Sequence, residues 1–431
     1  MQLSQVWAAM SDAGASRLYA KWLAPNDNSK NQIYLGPGFE ALNVLPSGTP
    51  IADPSKEILK APLAFSWIDE QGRAHAAPGA QLILYPQYPE VRMSGFLKGA
   101  RWAPSEVMTS RAGGRLLLFG VTESGNTFGF ASKESSNLAR ELRARTDLTP
   151  LGVFFVVPVV HRKDSRQLLL AELKRVRDKG WIRAKRLLTA GRFAPCDASN
   201  CGGYTLEAEL GILPNAISEP DFLGWEVKQY GVTDLRTGKS LNPVTLFTPE
   251  PTGGYYKTHG VEAFVRKYGY PDKRKRVNRI NFGGIYRANE TVASTKLTMI
   301  LDGYDIKTSR LVKPASGITL VDQFSNVAAI WHYTGLLAHW KRKHAMAVYV
   351  PSINRKLHGN EYRYGSRLLL AEGADFLNVL RSMACGHVYY DPAIKLVTEA
   401  GKSTCKRRSQ FRVAMTRASA LYERSEIVQL A

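Results

Sequence analysis

Residues 221–228, Asp-Phe-Leu-Gly-Trp-Glu-Val-Lys, place two carboxylates and an ammonium group on one short stretch of chain. Trp225 to Lys228 alternates apolar and charged residues, the period-two pattern of a half-buried strand. Glu226 and Lys228 then share one face, and Trp225 and Val227 share the other. Asp221, just after Pro220, falls in the turn or bulged start that feeds this strand. Two acids converging with an amine can hold a hard divalent cation and handle a water molecule beside it. Mg²⁺ favours such oxygen-rich, partly hydrated sites. The same octet also fits the solvated face of an ordinary edge strand, and taken alone it does not separate the two readings.

The elements that would position these groups must come from a chain of 431 residues, long enough for two or three domains with real cores. With 58 Lys and Arg against 37 Asp and Glu, the formal charge is +21, which implies a polyanionic partner. The excess is uneven. Residues 1–160 hold 15 basic and 13 acidic side chains, whereas residues 161–431 hold 43 and 24, so the phosphate-binding load falls with Glu226 and Lys228. Cys196, Cys201, Cys385 and Cys405 do not have the close pairing of zinc ribbons and read as reduced thiols of a cytoplasmic protein. The stretch Met1 to Gln5 has no basic or apolar leader pattern, so no signal peptide is expected. The apolar run Leu151 to Val160 contains Pro158 and is too short to span a bilayer, so no membrane partner is expected.

Residues 1–160 read as short strands with turn punctuation: Ser16–Trp22, Gln32–Leu35, Gln81–Tyr85, Arg115–Val121 and Thr127–Phe130. A short helix is predicted over Ser135–Arg145, and Leu151–Val160 reads as a buried strand. From His161 onward helices and strands alternate, as in a mixed α/β domain. Helices are predicted over Ser165–Asp178, closed by Gly180, and over Thr205–Leu213, which carries Glu207 and Glu209. Ser325–Lys341 and Arg367–Arg381 also have helical patterns. Lys296–Leu301, Ala345–Val350 and Gly386–Tyr390 are candidate central strands.

Other groups suit contact with a nucleic acid. Lys273, Arg274, Lys275 and Arg276 form the densest positive run, which reads as a phosphate-gripping loop or as a solvated loop of a basic protein. Lys341-Arg342-Lys343 reads as the cationic end of a helix. Around Asp391, Lys395, Arg407, Arg408, Gln410 and Arg412 the types are mixed. Arg or Lys addresses guanine, Gln addresses adenine and Asp accepts from cytosine, yet a loop and strand with ordinary salt bridges has the same composition. His332 and His339 read as packed or surface residues, and His259 lies in a glycine-rich stretch. There is no Ser-His-Asp or Cys-His arrangement, no phosphate-binding glycine loop of the Walker type and no GxGxxG.

Taken in order, the features of residues 163–431 resemble the MvaI/BcnI restriction endonucleases, whose catalytic fold is shared with the mismatch-repair nuclease MutH. They are a leading amphipathic helix closed by Gly180-Trp181, and Glu207 thirteen residues ahead of the Pro220-Asp221 step. Glu226-Val227-Lys228, the stretch Leu241–Glu250, and Gln410-Phe411-Arg412-Val413 leading into a terminal helix follow in register. Asp221-x4-Glu226-x-Lys228 then stands as the PD-(D/E)xK pattern of metal-dependent nucleases. The resemblance implies catalytic roles for Glu207, Asp221, Glu226 and Lys228, with Mg²⁺ on Asp221, Glu226 and the Val227 carbonyl. It puts base-reading positions near Asp391 and Arg412.

Residues 1–160 resemble the effector domain of EcoRII, a B3-like β-barrel that binds DNA. The matching stretches are Asn26-Asp27 with Ile33-Tyr34-Leu35, Pro89-Glu90-Val91-Arg92, and Lys98-Gly99-Ala100-Arg101-Trp102. Its two DNA-gripping arms would supply Ser29, Lys30, Asn31, Gln32 and Tyr34 from one side and Arg92, Lys98, Arg101 and Trp102 from the other. The expected fold is therefore α+β and multidomain. A B3-like barrel (1–160) precedes an α/β nuclease domain (163–431) of the PD-(D/E)xK, MutH-like kind.

Together the two resemblances imply a monomeric, Mg²⁺-dependent type II endonuclease of the IIE-like kind. It would act on double-stranded DNA at CCWGG sites (W is A or T), with one site per domain and no obligate protein partner. A strand-nicking repair nuclease and a non-catalytic DNA-binding regulator are the alternatives.

Overall fold

The computed structural model describes all residues except 26–30, 38, 40, 54, 89, 159–164, 199, 214–220, 341–345, 358 and 431, and the side chains of 190, 338 and 339. The chain divides into two compact units, Met1–Arg162 with Arg310–Ala315, and Lys163–Ser309 with Ser316–Ala431.

In the first unit the longest apolar strand, Arg115–Thr122, is buried at every position. It pairs antiparallel with Ala15–Leu23 on one side and Thr127–Ser132 on the other, at the middle of a seven-stranded sheet. Helix Leu3–Asp12 lays Leu3, Val6 and Met10 on this sheet beside helix Asn137–Arg143, whose Ser136 caps Ala139 N. The helix comes so close at Gly120 that a Cβ there would stand 2.7 Å from Met10 Sδ. A second, five-stranded sheet runs Ile33–Pro37, Glu90–Ser94, Gln81–Tyr85, Ile58–Pro62 and Ile51–Asp53. The expected barrel is thus, among the described residues, two open sheets whose pairings close no ring. Leu151–Val160 is also not one strand: Thr149–Leu151 and Phe154–Val156 form a hairpin about Gly152, at φ +57°.

The second unit is mixed α/β. Its main sheet contains Asn360–Tyr364, Met346–Lys356, Arg367–Ala374 and Tyr422–Gln429, and Glu226–Gly231 joins Met346–Lys356 in parallel. Helices Ser165–Asp178 and Cys201–Glu209 cover it, with Leu169, Leu173, Val176 and Leu206 against Trp225, Val227, Val348 and Leu370. Three further small sheets are joined by a buried aromatic series. Phe247 stacks on Phe411 at 4.9 Å between centroids, Trp331 meets Tyr390 at 4.6 Å, and Tyr286 meets Phe282 at 5.8 Å.

Several expected elements differ. Arg367–Arg381 is a strand, Arg367–Ala374, followed by helix Phe376–Ala384. Pairing on both edges overrides the helical preference of its leucines, and Asp375 starts the helix by accepting from Leu377 N. Ser325–Lys341 likewise divides into strand Val327–His332 and helix Tyr333–Trp340, because the β-branched and aromatic half pairs with Gly317–Val321. The helix expected at Thr205–Leu213 begins at Cys201 and ends at Glu209. After Val413 comes a 3₁₀ stretch, Met415–Leu421, and then strand Tyr422–Gln429 instead of a terminal helix. Lys341-Arg342-Lys343 lies outside the described residues.

Cys196 and Cys201 are not reduced thiols: they form a disulfide with Cα atoms 5.7 Å apart, while Cys385 and Cys405 are free. The bond fastens the start of the helix that carries Glu207. Among the described residues, no helix is long and apolar enough to cross a membrane. Closing a loop with a sequence separation of 5 stabilises a fold by about 2 kcal/mol in the chain-entropy picture. Reduction, or Cys196→Ser with Cys201→Ser, is therefore expected to lower unfolding stability by about that amount in denaturant melts.

Candidate active site

The segment before the sheet strand makes a two-residue hairpin. Phe222 and Trp225 exchange backbone hydrogen bonds of 2.9 and 2.8 Å, and Leu223 (φ +48°) and Gly224 (φ +91°) turn the chain between them. Both central residues have positive φ, as type I′ turns require. This turn brings Asp221 back along the strand, where its Oδ2 accepts a 3.0 Å hydrogen bond from Val227 N. Glu226 is 1% exposed, and its Oε1 accepts from Lys228 Nζ. The alternation predicted from the sequence therefore holds for this pair, but the acid stands in the interior instead of on a solvated edge.

Burial alone would lower the Lys228 ammonium. The Glu226 charge and hydrogen bond, with the Asp221 charge, more than offset it and hold the group above its ordinary value. Lys228 stands opposite Tyr349 in the parallel ladder, and the Tyr349 and Tyr422 hydroxyls share a buried 2.9 Å hydrogen bond. The next residue, Gln229, donates to Ser352 Oγ at 2.8 Å. Sequence reasoning missed Gln229, Tyr349 and Tyr422, because the register that opposes Lys228 and Tyr349 joins residues far apart in the chain.

The helix Cys201–Glu209 packs on this strand through Gly202, where a Cβ would meet Gln229 Oε1 at 2.7 Å. Its two acids have different surroundings. Glu209 is buried and accepts from Lys179 and Lys185 at 2.5 and 2.6 Å, with Arg175 at 3.8 Å. Burial would raise its carboxyl, yet the Lys179 and Lys185 bonds and charges hold it below the usual range. That is an internal charge clamp. Glu207 is half-buried on the same helix.

Among the described residues, no three His, Cys, Asp or Glu side chains form a ready metal-binding group. Asp221, Glu226 and the Val227 carbonyl offer only oxygen donors, and too few to enclose an ion. Such a set fits a hard divalent cation that keeps waters or takes phosphate oxygens.

The basic stretch and the stretch expected to read bases, separate in sequence, come together. Strand Arg279–Gly283 pairs with Ala393–Glu399, and the loop Asp272–Arg276 and Lys395 line one open concavity. Lys273, Arg274 and Arg276 are exposed at it, and Lys275 is exposed on the same loop. Asp391 N donates to Gln410 O at 2.7 Å, Ala393 N to Arg408 O at 2.9 Å, and Lys395 opposes Lys406. Arg407 and Arg408 are exposed beside them. Arg412 is engaged with Asp391 at 2.7 Å and with Pro243 O at 2.7 Å, so the two base-reading candidates face each other as an ion pair. Two histidines are absorbed by local structure. His259 stacks on Tyr255 within a helix, and His332 Nδ1 bonds Thr252 Oγ1.

In the first unit, Tyr34 opposes Arg92 across the ladder, and Arg92 donates to Gln32 Oε1 at 3.4 Å. Arg92 also pairs with Glu90 and lies over the Tyr85 ring. Asn31 sits just ahead of this strand, at φ +47°. Lys98, Arg101 and Trp102 follow on the next loop, with Trp102 against His75 at 5.2 Å between centroids. Asn26, Asp27, Ser29, Lys30 and Pro89 lie outside the described residues.

Against this geometry, the sequence model of the MvaI/BcnI restriction endonuclease family matches residues 170–422, more than half of the chain. The chain belongs to that family, and so is a nuclease of the restriction-endonuclease class, with DNA as its partner. Enzymes of the family typically use a divalent metal. No curated protein matches. Among solved structures, the chain is similar to a complex of restriction endonuclease MvaI with cognate DNA substrate. The identity is 17%, covering 62% of this chain and 98% of that chain, at a TM-score of 0.46. It is also similar to MvaI in the absence of DNA, at 17% identity over 62% and 99%, with a TM-score of 0.34.

Glu209→Gln is expected to cost about 1–3 kcal/mol at neutral pH. A lowered folded-state carboxyl contributes fully above the unfolded glutamate value of about 4.3 and loses its contribution as pH falls through the folded value. The Glu209→Gln deficit in thermal melts should therefore be constant above about pH 5 and shrink in acid.

Proposed function

We propose that this chain hydrolyses double-stranded DNA at CCWGG sites as a Mg²⁺-dependent type II restriction endonuclease of the IIE-like kind. The observation that carries the reading is the convergence of Asp221, Glu226 and Lys228 at the start of one strand, inside a chain of this family. Asp221 and Glu226, with the Val227 carbonyl, hold the divalent ion, which supplies positive charge at the phosphate when bound. Lys228, kept as an ammonium by the two acids, orients the attacking water and offsets charge on the transition state. Glu207, on the adjoining helix, acts as an outer acid that positions water or Lys228.

Asp391 and Arg412, with Lys395, Arg407, Arg408 and Gln410, address the DNA bases. Their pre-paired Asp391–Arg412 contact can be exchanged for a C·G pair, which offers an acceptor to the arginine and a donor to the acid. Lys273, Arg274, Lys275 and Arg276 take phosphates. Residues 1–160 form a B3-like effector domain in which Asn31, Gln32, Tyr34, Arg92, Lys98, Arg101 and Trp102 grip a second DNA site. Occupancy of that site raises cleavage by the nuclease domain, residues 163–431. The protein works as a monomer.

Purified protein with Mg²⁺ is expected to linearise a plasmid that carries a CCWGG site. Asp221→Ala and Lys228→Ala should each reduce cleavage by on the order of 10³-fold or more while leaving affinity for the site within about threefold. Nicking without linearisation would turn the reading toward a repair nuclease, and no cleavage with any divalent metal would turn it toward a regulator. A two-site plasmid should be cut faster than a one-site plasmid. A CCWGG oligonucleotide in trans should speed the one-site reaction, and Arg92→Ala should remove that gain without slowing the basal rate.

A further inference from the structure

Asp272 stands immediately before the densest cationic run of the chain, and it is buried, with a side chain 6% exposed. Its Oδ2 accepts from Arg276 Nε at 2.8 Å and from Arg274 N at 3.2 Å. Its Oδ1 accepts from Asn281 Nδ2 at 2.8 Å and from Arg276 Nη2 at 3.3 Å, and Arg279 Nε lies 3.5 Å away. Asn281 in turn accepts from Arg279 Nε at 2.8 Å and opposes Lys395 in the ladder. The bonds from Arg276 and Asn281 keep the carboxyl far below the usual range. One acid thus ties the loop to the strand behind it.

The cations divide accordingly. Arg276 and Arg279 turn toward Asp272, whereas Lys273, Arg274, Lys275 and Lys395 have no carboxylate partner among the described residues and line or flank the concavity. We propose that Asp272 is a positioning residue: it braces the loop so that Lys273 and Arg274, which line one concavity with Lys395, and Lys275 beside them on the loop, are set in advance to grip a phosphate of the DNA backbone. This rests on the nuclease reading above and adds a residue to it that touches no DNA. Three mobile side chains on an unbraced loop would lose conformational freedom on binding. A loop already ordered loses less.

The role can be separated from electrostatics because the two give opposite signs. As a plain charge, Asp272 weakens the local positive field, so Asp272→Asn should tighten DNA binding. As a brace, its loss should weaken binding. The measurement is titration of the full-length chain with a labelled duplex containing CCAGG, in EDTA so that no cutting occurs, over a series of salt concentrations. We expect Asp272→Asn to bind about tenfold more weakly, with the slope of log affinity against log salt shallower by about one phosphate contact, or 0.9. Affinity equal to or tighter than wild type overturns the proposal. Asn281→Ala removes one brace at constant charge, and it decides the matter if Asp272→Asn does not fold. It should weaken binding about threefold with a shallower slope, and an unchanged slope overturns the brace. Arg274→Ala and Lys395→Ala test the underlying reading. If both bind as wild type does, the concavity takes no phosphate. If both weaken binding and Asp272→Asn does not, only the positioning role fails.

Discussion

A carboxylate taken almost wholly out of water is the constraint on which this arrangement depends. Glu226 would be costly in the interior alone, and the Lys228 ammonium beside it offsets that cost only because the two side chains leave the same face of one strand. That geometry requires a fixed strand, so the neighbouring features are about rigidity. Trp225 and Val227 pack into the core on the opposite face, Met346–Lys356 pairs along the strand, and Asp221 closes the hairpin onto Val227 N. Replacing such a pair by well-packed apolar residues is often neutral or stabilising in other proteins, so stability is a weak reason for its presence. On the proposed reading chemistry is the better reason, because a desolvated ammonium and two acids have stronger fields than they would in water.

The close-range part of this was legible in the sequence. Alternation from Trp225 to Lys228 and the position of Asp221 just ahead of it are local properties, and the pairing of Glu226 with Lys228 follows from a strand of period two. The Asp272 brace was also within reach of a local reading, since an acid four residues before Arg276 is a recognisable spacing. Long-range partners had no local signal. Tyr349 reaches Lys228 through ladder register, and Glu209 finds Lys179 and Lys185 only when helix and loop fold together. Arg367–Ala374 shows the same limit for an element: leucines that suit a helix became a strand once two neighbours were available. The Cys196–Cys201 bond is illegible for a different reason: spacing unlike a zinc ribbon does not exclude a disulfide, because pairing depends on whether two Cα atoms come within bridging distance, here 5.7 Å.

Charge within the second unit is sorted by what each acid does to the cations around it. Glu209 gathers Lys179, Lys185 and Arg175 and offsets part of their charge, and Asp272 does the same to Arg276 and Arg279. A net charge therefore overstates the number of cations that can meet a polyanion. Of the cations outside these two groups, Lys273, Arg274 and Lys395 line one concavity, with Lys275 on the same loop. A surface built this way separates two tasks. On the proposed reading, exposed lysines and arginines supply affinity that falls with salt, while Arg412, already held by Asp391 and the Pro243 carbonyl, has a fixed direction and would lose little freedom on meeting a base. Selectivity for a sequence then depends less on how many positive charges the chain carries than on which of them its own carboxylates have already oriented.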